Sequence, residues 1–552
     1  MDLRGGHHVP ANDLYEWPEQ RTALADPVRE CRTAEHVVER DALADVVHIE
    51  MAKGIGWLAQ HGAEEVRELA RGIIATLPAT LESRVAQALM SGWMQIHLDG
   101  DLTDSEQRWR KRLDELANEL LSDGSSAERV LLAVENHLKA IAFAGVATES
   151  SPYFLFNLLL SKSPDLAFAT VKHTFEHPDS PIARFAGEAL AKVLGNRHKS
   201  GFALAKRLWS SGNDVLQRIV ARAYSMYHPA TQFTAGELQM LQSIFSAEPL
   251  ICRSGLGAIM TVASTDKRGA IDLLKLLPLG ASRELADEAF TILQREGPLP
   301  LSTLSDEDVS ALLEKLVPST DLDGYWVQAV LAALSGERPA LVLDFFLSRL
   351  LHSAKNDDWS YRVCYLRPYQ AVALRFKDAP GADACMRRLV EWMGDKSDDA
   401  SLLSEAGELF ASLFGPLDDH VIALLANELL TPSPQSIRVL ISIVAHADNS
   451  FVFTHRDIVM RLLDLAMTFD RELADAAISG LYRSAINGVS RSAPGQPSPK
   501  DLDMKRDAEK VLSELSRFSI AFRLYDGLRR HAEQSIAMSH AVRGAVDDDD
   551  ED

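Results

Sequence analysis

Arg184-Phe185-Ala186-Gly187-Glu188-Ala189-Leu190 returns as Arg218-Ile219-Val220-Ala221-Arg222-Ala223-Tyr224, and again as Arg253-Ser254-Gly255-Leu256-Gly257-Ala258-Ile259. The arginines stand 34 and 35 residues apart, and an alanine follows each after five residues. A fixed period of this length marks a supersecondary unit that cannot bury its own apolar face, so successive copies must stack. The expected fold is all-α: a solenoid of stacked antiparallel helix pairs.

Around this core the chain reads in six segments. Residues 1–32 scatter Pro, Gly and His without periodicity and are expected to form an extended arm. Residues 33–150 form an N-terminal helical region, with apolar residues at i, i+3, i+4 and i+7 in Ala63 to Leu77, Ala79 to His97 and Ser105 to Leu121. Ser125-Ser126-Ala127-Glu128 then predicts a capped helix start. From 151 to 490, helices alternate with short turns punctuated by Ser163-Pro164, His177-Pro178, Gly195-Asn196, Gly212-Asn213 and Glu248-Pro249. Such short connections make consecutive helices antiparallel neighbours. Residues 491–500, rich in Pro, Ser and Gly, read as a flexible linker. Residues 501–544 read as a C-terminal helical segment with apolar positions at Val511, Leu512, Leu515, Phe518, Phe522 and Leu524, and 545–552 as a disordered acidic tail.

The repeats resemble the HEAT family of α-solenoids. The segment carrying the likeness is Pro178-Asp179-Ser180-Pro181-Ile182-Ala183-Arg184, followed by Ala186, Ala189 and Leu190. The resemblance implies a ladder in which a turn aspartate and the arginine bond between adjacent repeats. Asp179 precedes Arg184 by five residues and Asp214 precedes Arg218 by four, whereas Glu248 stands five before Arg253. The pattern returns as Arg283-Glu284-Leu285-Ala286-Asp287-Glu288-Ala289, and 188 residues later as Arg471-Glu472-Leu473-Ala474-Asp475-Ala476-Ala477.

Composition narrows the function. At 552 residues the chain exceeds what one compact core serves. Its 46% hydrophobic and 25% charged residues are those of a folded soluble protein, and only 7% aromatics suits helix packing better than sheets. A net charge of −22, of which Asp547 to Asp552 supply six negative charges, argues against a general polyanion binder. Cys31, Cys252, Cys364 and Cys385 lie far apart without a Cys-x-x-Cys pair, which points to a reducing compartment and no disulfide framework. No apolar run is long enough to span a bilayer, and the N-terminus lacks a signal-peptide h-region, so a cytoplasmic location is expected. Phosphate-binding loops, a Gly-x-Ser-x-Gly elbow and cofactor fingerprints are missing, and no cofactor is expected.

Three places stand out as candidate sites. His173-Thr174-Phe175-Glu176-His177 matches His-x-x-Glu-His, whose histidines share a helix face and suit zinc, but Pro178 ends that helix and no third ligand is identifiable. The plainer reading is a helix terminus. Between Arg184 and Arg222, eight basic residues face two acidic ones. Here Arg197, Lys199, Lys206, Arg207, Trp209 and Arg222 form a candidate docking patch for an acidic protein, or for nucleic acid. Trp359, Tyr361, Arg362, Tyr365, Arg367 and Tyr369 form a cluster of the residue types that anchor interfaces. The expected function is a non-enzymatic scaffold or adaptor subunit that binds another protein on the solenoid surface, the alternative being a nucleic-acid binder using the basic patch.

Overall fold

The computed structural model describes residues 124–143, 151–294, 297–356, 358, 360–364, 372–487 and 496–547, with scattered positions between 111 and 121. The expected arm at 1–32, most of the region 33–150 and the acidic residues after Asp547 lie outside them. The described residues are helical and contain no strand. The chain divides into two compact units, Met1–Leu276 and Leu277–Asp552. The division falls inside the stretch 151–490.

In the first unit, α1 (Ala127–Phe143), α2 (Ser151–Lys162), α3 (Pro164–Glu176), α4 (Ala186–Asn196), α5 (His198–Ser210), α6 (Asp214–Met226), α7 (Ala235–Phe245), α8 (Pro249–Gly255), α9 (Gly257–Ala263) and α10 (Lys267–Leu274) follow one another with short turns. Their starts lie where cap chemistry puts them. The Ser126 hydroxyl accepts from Arg129 N at the start of α1, Ser163 caps α3 with Pro164 in its first turn, and the Asn213 side chain accepts from Val215 and Leu216. Thr234 and Glu237 form a reciprocal capping box at α7.

Helices α4, α6 and the α8–α9 pair lie in one row, with α5 against α4 and α6. The repeated alanines Ala189, Ala223 and Ala258 are all 0% exposed on that row. A side chain larger than alanine there would hold the helices apart. Approach is closer still at Gly257, where a Cβ would lie 2.7 Å from the carbonyl oxygen of Ser225.

The second unit comprises α11 (Arg283–Thr291), α12 (Asp306–Leu316), α13 (Tyr325–Glu337), α14 (Pro339–Ser353), α15 (Ala382–Asp395), α16 (Ala400–Phe414), α17 (Asp419–Glu428), α18 (Pro434–Val444), α19 (Phe451–Thr454), α20 (Arg456–Phe469), α21 (Arg471–Ile486), α22 (Pro499–Leu512) and α23 (Ile520–Asp547). One row passes from α16 through α18 and α21 to α23; elsewhere α11 packs on α13, and α12 on α14. The same backbone approach recurs here. A Cβ on Gly407 would lie 2.4 Å from the Ser442 carbonyl oxygen, and Ser442 Oγ donates 2.5 Å to Leu403 O.

The links between successive units do not run through Arg184 or Arg218, whereas Arg283 does reach forward, to Asp323 O at 3.3 Å and Asp321 at 3.8 Å. Arg184 and Arg218 are exposed, and neither they nor Asp179 and Asp214 form an ion pair among the described residues. Bonding falls instead four residues later. Glu188 pairs with Arg222 at 2.5 Å, each four residues beyond its arginine. Asp287 Oδ1 accepts from the backbone of Trp326 (2.6 Å) and Val327 (3.2 Å), capping α13 from α11. Asp475, at the matching place on α21, meets Arg523 of α23 at 2.9 Å. This face turns toward the next helix of the row, while Arg184 and Arg218, one turn earlier, turn outward.

Two further boundaries differ from the pattern in the sequence. Helix α22 begins at Pro499 behind a Ser498 cap, inside the stretch read as a linker, and α23 reaches Asp547, inside the stretch read as tail. Phe518, counted among apolar helix positions, lies between these helices and is 101% exposed. Ser516 and Ser519 close a tight turn around it, with Ser519 N donating to Ser516 O.

Replacing Gly407 with alanine is expected to cost about 1–3 kcal/mol, because the new methyl meets backbone that cannot yield. Gly394, whose Cβ would meet nothing within 4 Å, serves as the control. Its alanine variant should be neutral or slightly more stable in urea unfolding.

Candidate binding face

Of the aromatic cluster, Trp359, Tyr365, Arg367 and Tyr369 lie outside the described residues. Tyr361 does not serve as an exposed anchor: it is 7% exposed, and residues 361–364 are not helical. Its hydroxyl donates 2.5 Å to Val317 O, and its ring lies under the guanidinium of Arg349, 4.4 Å from the ring centroid. Arg362 keeps an exposed side chain, but its backbone N–H donates to Thr320 O at 2.7 Å and its carbonyl accepts from Arg349 Nη2.

Arg349 explains this arrangement. It is a fully buried arginine on α14, at 0% exposure. A buried guanidinium requires its donors satisfied. Nη1 donates to the carbonyls of Leu316, Val317 and Ser319, at 3.0, 3.0 and 2.8 Å, and Nε donates to Val363 O at 2.9 Å. The first three carbonyls close the C-terminus of α12, where the helix dipole favours a cation. Burial pushes the guanidinium down to about 10, and nearby Tyr361 pulls the other way. The cation thus fastens the segment 360–364 to the end of α12, and Tyr361 is part of the fastening.

The basic stretch separates into two faces. On α5, Arg197 pairs with Asp165 at 2.9 Å, Lys206 lies over Phe202 (4.7 Å), and Arg207 over Phe175 (4.4 Å). Trp209 is half-buried, and its carbonyl accepts from Gln217. Lys199 is exposed at the start of the helix. Arg222 belongs to the other face, where its carboxylate partner Glu188 is nearly buried.

That other face carries the arginines of the period. Gly187 packs under the Arg222 side chain, a Cβ on Gly255 would lie 3.6 Å from Ala221 Cβ, and Gly257 abuts Ser225. These contacts fix the register of α4, α6 and α8–α9, with Arg184 in the turn just before α4, Arg218 on α6 and Arg253 on α8. All three are exposed. Arg184 and Arg218 have no carboxylate partner among the described residues, although Glu188 and Asp214 lie on the same face. Along α6 the outward stripe continues from Arg218 through Arg222 to Met226, which is 41% exposed.

The His-x-x-Glu-His string ends α3. His173 Nε2 lies 3.0 Å from Glu135 Oε2, without the angle of a hydrogen bond, and Glu135 Oε1 accepts from Ser180 Oγ at 2.7 Å. The His173 and His177 rings are 4.8 Å apart beside an open hollow of about 570 Å³. Among the described residues, no three His, Cys, Asp or Glu side chains converge in a way that could hold a metal ion. The described cysteines Cys252, Cys364 and Cys385 are free thiols, and burial raises Cys252 to about 11, away from the thiolate a nucleophile needs. No described helix is long and apolar enough to cross a membrane.

Compared with models of known protein families and with curated proteins, the sequence matches none.

Two measurements test the Arg349 fastening. Arg349→Met leaves carbonyls of two segments without their donor and should lower stability by about 3 kcal/mol or more. Arg349→Lys, whose ammonium has three donors and no planar fork, should recover only part of it in the same urea titration. The second is alkaline. Burial raises Tyr361 from 10.0 to about 12, so its contribution is complete below pH 10 and is lost as the pH climbs to about 12. Tyrosinate absorbance should show a late-ionising phase shared with Tyr525, which is also raised to about 12. Tyr361→Phe should remove the Tyr361 share of that phase.

Proposed function

We propose that the protein is a HEAT-like α-solenoid acting as a non-enzymatic interaction module, an adaptor or scaffold subunit of a larger complex. Its partner, an acidic protein surface, is held on the face that carries Arg184, in the turn before α4, and Arg218 of α6. The observation that carries this reading is the pair Arg184 and Arg218, exposed, in register and without a carboxylate partner among the described residues. In a chain of net charge −22 such a face attracts an acidic partner locally, while the rest of the surface repels polyanions at range. The spacing of inter-repeat links, 34 residues for Glu188–Arg222 and 39 for Asp287–Trp326, supports the solenoid part. The cations of α5 are secondary, because Arg197, Lys206 and Arg207 already have partners on the protein.

The experiment is affinity purification of the tagged chain from its native lysate, with Arg184→Glu/Arg218→Glu beside it. A stoichiometric acidic protein is expected with the wild type, released by added salt and lost in the double variant. Arg197→Glu/Lys206→Glu on α5 should retain it. Equal recovery by all three chains, or recovery of none, would overturn the reading. Salt-sensitive binding of DNA by the purified wild type, lost in the arginine variant, would favour the nucleic-acid alternative.

A further inference from the structure

Two neighbouring residues of α4 are given over to one side chain of α6. Gly187 leaves the space in which the Arg222 stem lies, since a Cβ there would stand 3.0 Å from both Cγ and Cδ of Arg222 and 3.2 Å from its Cβ. Glu188, 8% exposed, accepts from Arg222 Nη2 through Oε1. The glycine seats the stem and the carboxylate meets the charge. Arg222 lies one turn beyond Arg218 on the outward stripe of α6, so without Glu188 its guanidinium would add a cation beside Arg218.

Burial decides which carboxylate Arg222 keeps. A carboxylate brought by a partner offers it an exposed ion pair, which is worth little. Leaving Glu188 behind costs more, because a buried carboxylate stripped of its cation has no water to replace it. Glu188 Oε2 is buried without a hydrogen-bond partner, so the carboxylate has no second donor to fall back on if Arg222 leaves. Arg184 and Arg218 are under no such constraint: both are exposed and have no carboxylate partner among the described residues.

We infer that Glu188 sets the selectivity of this face: it withholds the charge of Arg222, so that a partner's acids are received at Arg184 and Arg218 instead. This rests on the reading of that face as the partner site and assigns the residue that limits its charge. Glu188 is a positioning residue, acting through Arg222 and touching no ligand itself. A face limited in this way discriminates against dense polyanions, whose binding strengthens with each cation offered.

The test is fluorescence anisotropy of the full chain at low salt with a labelled poly-glutamate peptide, each variant first shown to be folded by urea unfolding. Glu188→Gln keeps the shape and removes the charge, and should tighten binding about threefold to fivefold, the value of one more exposed ion pair. Arg222→Gln should weaken binding, because the Glu188 charge then stands uncompensated. Glu188→Gln/Arg222→Gln should return it to the wild-type value. A merely structural pair would change the urea midpoint without producing this order of affinities. Unchanged binding in Glu188→Gln, with binding still lost in Arg184→Glu/Arg218→Glu, overturns the inference and leaves the arginine face standing. Tightening that persists in Glu188→Gln/Arg222→Gln also overturns it, since the gain then does not come from Arg222. Equal binding by the wild type and Arg184→Glu/Arg218→Glu overturns the reading of the face and the inference with it.

Discussion

Helices one repeat apart in this protein meet backbone against backbone. At Gly257 and Gly407 the facing atom is a carbonyl oxygen, and the intervening space does not admit even a methyl group. That contact permits one relative sliding position and no other. The alanines 0% exposed on the first unit's row have the same effect less strictly. Everything displayed on the outer surface inherits its alignment from them. Arg218 on α6 and Arg253 on α8 take their places because small residues beneath them fix how the helices lie.

Electrostatics are divided between two kinds of place. Inside the second unit, one guanidinium is carried into the core and satisfied by carbonyl oxygens, three of them at the end of α12. A carboxylate partner would have brought a second desolvation cost; helix-end carbonyls have already lost much of their hydration and point their negative ends inward. On the first unit Arg184 and Arg218 show the reverse, because both are left outside without a carboxylate partner among the described residues. Similar side chains thus serve opposite ends, and what separates them is the face of the helix on which each stands.

Much of the helical plan was legible from residues alone. Ser163-Pro164, Gly212-Asn213 and Glu248-Pro249 mark helix starts because cap and proline chemistry are local, and local rules survive whatever the tertiary structure does. The role of the arginines was not legible. The HEAT resemblance implies that Arg184 and Arg218 are consumed in a ladder, whereas both are exposed without a carboxylate partner among the described residues, and Arg197, Lys206 and Arg207 have partners on the protein. A warning was present in the uneven spacing of the acids, five residues before Arg184 but four before Arg218, since one ladder geometry does not accommodate both. Arg349 carried its own signal, an arginine three and four residues after Phe346 and Phe345 on an apolar helix face, yet its acceptors come from residues 316–319 and 362–363, which no local pattern joins to it. At Phe518 apolar spacing continues past a point where Ser516 and Ser519 turn the chain.

Asp287 gives the second unit a directionality. Helix α13 begins at a glycine, Gly324, which offers no side-chain cap of its own, and its first amides are satisfied by a residue of α11. A repeat excised from between them would leave a donor set in one fragment and its acceptor in the other. The segments are consequently not interchangeable bricks. Helix α13 is completed by α11, so duplication, shuffling or truncation here must keep Asp287 together with Trp326 and Val327.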